Sequence, residues 1–160
     1  MRVNRSLNAA PAARIDGESL QAAQAIALLS KLQDDVIVYR SLGDFEEQEK
    51  LARVSFETFQ NHLRATSMAV EPLLDQLPSS KLKTALNNAL RSFQDGALWW
   101  QQSYRPRVID VAEVSKSELT RSDVDKALLV TVPYTVAIHW RQGANYLRRA
   151  EELLRREPSK

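Results

Sequence analysis

The sequence predicts an all-α protein: an up-down-up-down four-helix bundle with a long third connection and a last helix that is kinked by proline. The composition favours helices, because strong helix formers dominate and only four glycines are available for tight turns in 160 residues. Apolar residues also recur at spacings of three and four along four long stretches, which is the periodicity of amphipathic helices. Since the first two connections between these stretches are short, consecutive helices are expected to run antiparallel.

The chain is expected to form one folded domain. A length of 160 residues allows about two thirds of the unfolded chain's surface to be buried. Residues 1–17 lack periodicity and are predicted to be a flexible N-terminal tail, and residues 18–157 are predicted to be a single helical-bundle domain.

The composition excludes several functional classes. The chain has no cysteine, which removes thiolate catalysis, disulfides and cysteine metal sites. Its 44% hydrophobic residues are typical of a soluble globular protein, and its 22 basic residues against 20 acidic ones do not favour a nucleic-acid partner. No run approaches the roughly 20 apolar residues of a membrane span. As written, the chain is expected to be cytoplasmic, although an exported protein without its leader would look the same.

The first helix is predicted over about 18–42 and the second over about 44–77. Gly43 is the predicted C-terminal cap of the first, and Asp44 is the predicted N-cap of the second. Pro72 is expected to bend the second helix or to end it early. The side chains predicted to be buried along these helices are Ala22, Ala25, Leu29, Leu32, Val36 and Tyr39, then Ala52, Phe56, Phe59, Leu63, Thr66, Val70, Leu73 and Leu77.

The third helix is predicted to begin after Ser79 or Ser80 and to stop at the Arg-Pro-Arg sequence of residues 105–107. Residues 105–121 then form the longest irregular stretch, and long ordered loops in compact domains are often functional. The predicted buried stripe of the third helix consists of Leu82, Leu86, Ala89, Phe93, Ala97, Trp100 and Tyr104.

Residues 128–140, "LLVTVPYTVAIHW", support two interpretations. Apolar residues alternate as in a strand, and residues 108–114 are the candidate partner strand. A two-stranded ribbon is marginal in water, however, and Pro133 would remove a hydrogen-bond donor from its middle. A helical stripe that continues to Leu154 favours the other interpretation, a helix from Ser122 to about Glu157 with a kink at the proline.

The two histidines, His62 and His139, do not complete a known metal motif. The positions three residues before them hold Phe59 and Val136, so the Glu-x-x-His pairs of di-iron bundles are absent. Both histidines lie at similar depths in parallel helices, as axial haem ligands would, but His62 falls off the buried stripe. The sequence therefore predicts no catalytic residues, no metal ligands and no cofactor.

The segment "HWRQGAN", which starts at His139, resembles the phosphoacceptor segment of histidine phosphotransfer domains. These domains are four-helix bundles that carry the motif His-x-x-Lys-Gly, and Gly143 matches its glycine while Gln142 replaces its lysine. The resemblance implies an exposed phosphoacceptor histidine, whereas the helical stripe places His139 on or beside the buried face. The chain is not assigned to this family.

Arginines recur along the last helix. One interpretation is a stripe for an acidic partner. The favoured one is that they complement the helix dipole and pair with interleaved glutamates. These arginines are Arg141, Arg148, Arg149, Arg155 and Arg156.

Two adjacent tryptophans cannot face the same core. Trp100 continues the buried stripe of the third helix, and Trp99 falls on its polar side. An exposed tryptophan near Arg105 and Arg107 is typical of an interaction hot spot. These three residues are the predicted interaction surface.

The sequence predicts a non-enzymatic protein that acts through protein–protein interaction or scaffolding, including self-association through a helical face. The alternative is a small-molecule or cofactor binder with a cavity near the Pro133 bend. Gly96 and Gly143 would leave space for a ligand there. The residues predicted to line that cavity are Tyr134, His139, Trp140 and Tyr146.

Overall fold

The computed structural model describes residues 10–41, 43–45, 50–104 and 121–156, with side chains described from residue 17 in the first helix and from residue 132 in the last. This part of the chain is mostly helical, which confirms the all-α class. An isolated antiparallel bridge joins Val36 and Ala52. The four long helices are α1 Ala10–Gln33, α2 Phe56–Gln76, α3 Lys81–Gln102 and α4 Arg121–Arg156.

The connection between α1 and α2 is longer than predicted, which corrects both helix ends. α1 ends at Gln33 instead of about residue 42, and α2 begins at Phe56 instead of after Asp44. Asp34 and Asp35 follow α1, where the negative end of the helix dipole disfavours carboxylates. The next four residues are β-branched or aromatic and favour extended backbone.

Arg53 and Tyr39 hold this connection in place. The guanidinium of Arg53 donates to the carbonyl oxygens of Asp34 at 2.9 Å and Val36 at 3.0 Å. The hydroxyl of Tyr39 donates to the carbonyl oxygen of Lys50 at 2.5 Å. Val36 and Tyr39 are buried, as predicted, but they lie in a non-helical segment and not in the first helix.

Serines are the N-caps of α2 and α3. The side chain of Ser55 accepts a hydrogen bond from the Thr58 amide at 3.1 Å, so Ser55 is the N-cap of α2 and the prediction of Asp44 was wrong. Ser80 accepts from the Lys83 amide at 3.1 Å, which confirms one of the two predicted caps of α3.

The structure decides between the two interpretations of residues 128–140, because this segment lies within α4. α4 passes through Pro133 and ends at Arg156, close to its predicted end. The ribbon interpretation of 128–140 is therefore wrong, and residues 108–114 lie outside the described residues. α2 likewise passes through Pro72 to Gln76, so this proline does not end the helix early.

One hydrophobic core draws side chains from all four helices. α3 and α4 form the most extensive pair, followed by α1 and α2, whereas α2 meets α3 over a much smaller contact. Tyr104 was predicted to be buried but is 63% exposed, because α3 ends at Gln102. The largest fully buried side chains are Trp140, Phe59, Phe93, Leu29, Leu32, Leu86, Val36, Val70 and Val136.

Candidate functional site

Trp140, one of the predicted cavity residues, lies at the centre of the core. Its side chain is fully buried, and its ring centroid lies 5.0 Å from that of Phe59, 6.1 Å from that of Phe93 and 6.3 Å from that of Trp100. A Cβ atom added to Gly96 would lie under 3.0 Å from three carbons of the Trp140 indole. The indole therefore packs directly on the backbone of α3.

Gly143 has a similar role on α4. A Cβ atom at this position would lie 3.0 Å from Cζ of Phe93. Rings from the facing helix thus occupy the space beside both glycines, and this allows α3 and α4 to approach closely. We call this contact between Gly96, Trp140, Gly143 and Phe93 the α3–α4 seam.

The other predicted cavity residues lie in separate places. Tyr134 packs its ring on Phe45, with centroids 5.1 Å apart, in a small second cluster with Tyr39. Tyr146 lies at the surface, in a depression of about 220 Å³ that Lys81 also lines and that neither Tyr134 nor Trp140 lines. The structure does not bring Tyr146 together with the others.

Two ring nitrogens on α4 are buried without a hydrogen-bond partner among the described residues. They are Nδ1 of His139 and Nε1 of Trp140, which are neighbours on α4. Buried polar atoms are almost always hydrogen-bonded. A polar ligand could supply the hydrogen-bond partners of these two ring nitrogens.

His62 forms a side-chain contact with Asp35 that the sequence did not reveal. Its Nδ1 lies 2.7 Å from Oδ2 of Asp35, beside a depression of about 270 Å³ that Lys31 and Thr66 also line. The prediction missed this pair because it placed Asp35 inside the first helix. A carboxylate on Nδ1 fixes the orientation of the ring. Among the residues that the structure describes, no three carboxylates or histidines are grouped so that they would hold a metal ion.

An open groove of about 580 Å³ lies between α2 and α3. Buried Leu63 and Ala97 line it from within the core. Met68 on α2 is 72% exposed and Leu98 on α3 is 58% exposed, and both line the same groove. We call this feature the α2–α3 groove.

Four charged side chains line the α2–α3 groove: Arg64 and Glu71 on α2, and Arg91 and Asp95 on α3. Within the described part of the chain, none of them has an ion pair or a side-chain hydrogen bond. This groove was not predicted from the sequence, because its residues come from two separate helices.

The predicted interaction residue Trp99 is 42% exposed, whereas Trp100 is buried. Trp99 follows Leu98 of the groove in the sequence. Arg105 and Arg107 lie outside the described residues. On α4, the predicted intrahelical pairs are present between Arg148 and Glu152 at 3.1 Å, and between Arg155 and Glu151 at 3.7 Å.

Comparison with protein families, with curated proteins and with solved structures finds no match to this chain. Among the helices in the described ranges, none combines the length and the apolar character needed to cross a membrane.

Proposed function

We propose that this protein is a non-enzymatic interaction or scaffold protein whose docking surface is the α2–α3 groove. The observation that carries the proposal is the exposure of Met68 and Leu98, 72% and 58%, in one groove that buried apolar side chains underlie. Single exposed apolar residues are ordinary, but two of them in one groove between helices are typical of a site that binds a helical partner.

The architecture that we propose is an up-down-up-down bundle with a bend at Pro133 in α4. α1 packs on α2, α2 on α3, α3 on α4 and α4 on α1, which is the neighbour order of such a bundle. Residues 77–80 are the whole connection between α2 and α3, and so short a connection favours antiparallel neighbours. Pro133 has no amide hydrogen for the helix ladder, which favours the bend.

Trp99 extends the proposed surface. It follows Leu98, and tryptophan is enriched at the centres of protein interfaces. Among the described residues that line the groove, Ser67 carries the only hydroxyl group, and its oxygen accepts a hydrogen bond from the Gln94 side chain at 3.2 Å. No histidine faces this serine within the groove lining. The groove therefore favours binding over nucleophilic catalysis.

A photo-crosslinking amino acid at position 98 tests this proposal in living cells. The matched control is position 20, because Leu20 on α1 is 60% exposed and lies away from the groove. We expect a protein adduct from position 98 and none from position 20. No adduct at position 98, or equal adducts at both positions, would contradict the proposal.

A small-ligand binder is the second candidate. It is supported by the two buried ring nitrogens of His139 and Trp140 that have no partner among the described residues. Native mass spectrometry of protein purified from its own host tests it. We expect a bound mass that is lost in the His139→Ala variant, and the mass of the bare chain alone would contradict this candidate.

A further inference from the structure

We infer that the partner in the α2–α3 groove is a second copy of this chain, in a two-fold dimer whose axis runs parallel to α2 and α3. The inference rests on the proposed function and names its partner. It is carried by the arrangement of the four unpaired charges, Arg64, Glu71, Arg91 and Asp95, around Met68 and Leu98.

The heights of these charges follow from the hydrogen bond between the side chains of Gln94 and Ser67, which places these two residues at about the same height along the groove. With the helical rise, Arg64 and Asp95 lie within about 3 Å of the same height on one side of this level, since α2 and α3 are antiparallel neighbours. Glu71 lies within about 2 Å of the height of Arg91 on the other side. At each of these two heights, the groove therefore has a positive side chain on one helix and a negative side chain on the other.

A two-fold axis along the groove keeps each residue at its height and exchanges the two sides. Arg64 then faces the partner's Asp95, and Glu71 faces the partner's Arg91. Each of these contacts occurs twice, so that four pairs of opposite charge form and no like charges meet. A uniformly acidic or basic partner would instead place like charge against two of the four charged side chains of the groove. This repulsion disfavours such a partner.

The apolar side chains fit the same arrangement. Side chains on a helix lean towards its N-terminus, so Met68 on α2 and Leu98 on the antiparallel α3 lean towards each other's height. The two-fold axis places Met68 on the side of the partner's Leu98. The exposed apolar surface of both copies is covered in this way, with the charges around it.

The size of the groove predicts a weak dimer. From Gln60 to Glu71 the groove is about 17 Å long, and two helices make it about 20 Å wide. This face of roughly 350 Å² per copy is smaller than the roughly 800 Å² of a standard interface. We therefore expect a dissociation constant of the dimer in the micromolar range or above. Salt should raise this constant, because the charge pairs lie near the surface.

Analytical ultracentrifugation of the purified full chain, from about 1 µM to about 1 mM, tests this inference. We expect a shift from monomer to dimer with concentration. Leu98→Glu should raise the dissociation constant of the dimer by about tenfold or more. The matched Leu20→Glu variant should dimerise with the same constant as the native chain. Circular dichroism verifies that both variants keep the native helix content.

Charge-reversed variants give the sharpest test. Arg64→Glu and Asp95→Arg each weaken the dimer alone, since each creates two like-charge contacts, and an equimolar mixture of the two restores it as a heterodimer. The control mixture of Arg64→Glu with Glu71→Arg restores nothing. Failure of the first mixture, or restoration by the control mixture, would overturn the proposed dimer. A native chain that stays monomeric throughout also overturns it, while an adduct of another mass at position 98 would leave the proposed function standing.

Discussion

The two sides of α3 differ in how closely they approach a neighbouring helix. On one side, Gly96 lies against the indole of Trp140 across the α3–α4 seam. On the other side, Leu98 lines an open groove and is 58% exposed. α2 and α3 are joined by residues 77–80 and pack loosely, whereas α3 and α4 are separated by residues 103–120 and pack most extensively.

Residue size explains this difference better than chain connection does. The seam has glycines on both helices, so an aromatic ring from each helix reaches the backbone of the other. The groove is lined by long side chains such as Arg64, Met68 and Gln94, and no glycine is among its lining residues. The seam is thus expected to contribute to stability, and the groove to be free for binding.

Replacement of the central indole should have the largest effect. We expect Trp140→Ala to lower the free energy of unfolding by about 3–5 kcal/mol, because it removes ring contacts to Phe59, Phe93 and Trp100 and leaves a cavity. Urea unfolding measures this. The control is Trp99→Ala, which should change stability by less than about 1 kcal/mol because Trp99 is half exposed. Equal losses in the two variants would contradict a seam centred on Trp140.

Gly96→Ala should have the next largest effect. The added methyl group would overlap the buried indole of Trp140, and we expect a loss of about 1–3 kcal/mol. The matched control is Gly17→Ala in α1, where an added Cβ meets nothing within 4 Å. This control should gain up to about 1 kcal/mol through helix propensity.

The Trp140→Leu background sharpens this result, because it lacks the indole atoms that meet the added methyl group. Gly96→Ala should cost less there than in the native chain, which a double-mutant cycle of urea unfolding measures. An unchanged cost would show that the seam does not depend on this contact.

Removal of the pair between His62 and Asp35 should have a smaller effect. We expect His62→Ala to lower the free energy of unfolding by about 0.2–1 kcal/mol, because the imidazole is largely exposed. Asn61→Ala, at the neighbouring exposed position, is the control and should change less. A loss of several kcal/mol would mean that this pair is a main support of the α1–α2 connection.

Leu98→Glu should have the smallest effect on stability. We expect a change within about 0.5 kcal/mol at a dilution where the chain is monomeric, and the same for Leu20→Glu. Thermal unfolding monitored by circular dichroism checks both variants. A large loss for Leu98→Glu alone would show that the groove is closed by packing within one copy.

The sequence predicted the helical class, the cap at Ser80 and the span of α4, because periodicity and capping act locally. The predicted helix ends between α1 and α2 were wrong. There, Arg53 forms hydrogen bonds to two carbonyl groups that are distant in the sequence, and a helical pattern does not reveal such bonds. The run of β-branched residues after Asp35 was the available local signal for extended chain.

The candidate site was less predictable than the fold. The exposure of Trp99 follows from its neighbour Trp100, since adjacent helical residues point about 100° apart. The α2–α3 groove depends on the distance between two helices, and the residue pattern within one helix does not predict that distance. The close approach at Gly96 was equally hidden, because a glycine predicts available space without showing which ring fills it.

The most direct test of this account compares two substitutions that lie two positions apart on α3. Gly96→Ala and Leu98→Ala are measured side by side by urea unfolding. We predict that Gly96→Ala lowers the unfolding midpoint and that Leu98→Ala leaves it unchanged, because one side of α3 is packed on Trp140 and the other is open. Equal midpoints for the two variants would contradict the division of α3 into a stabilising side and a binding side.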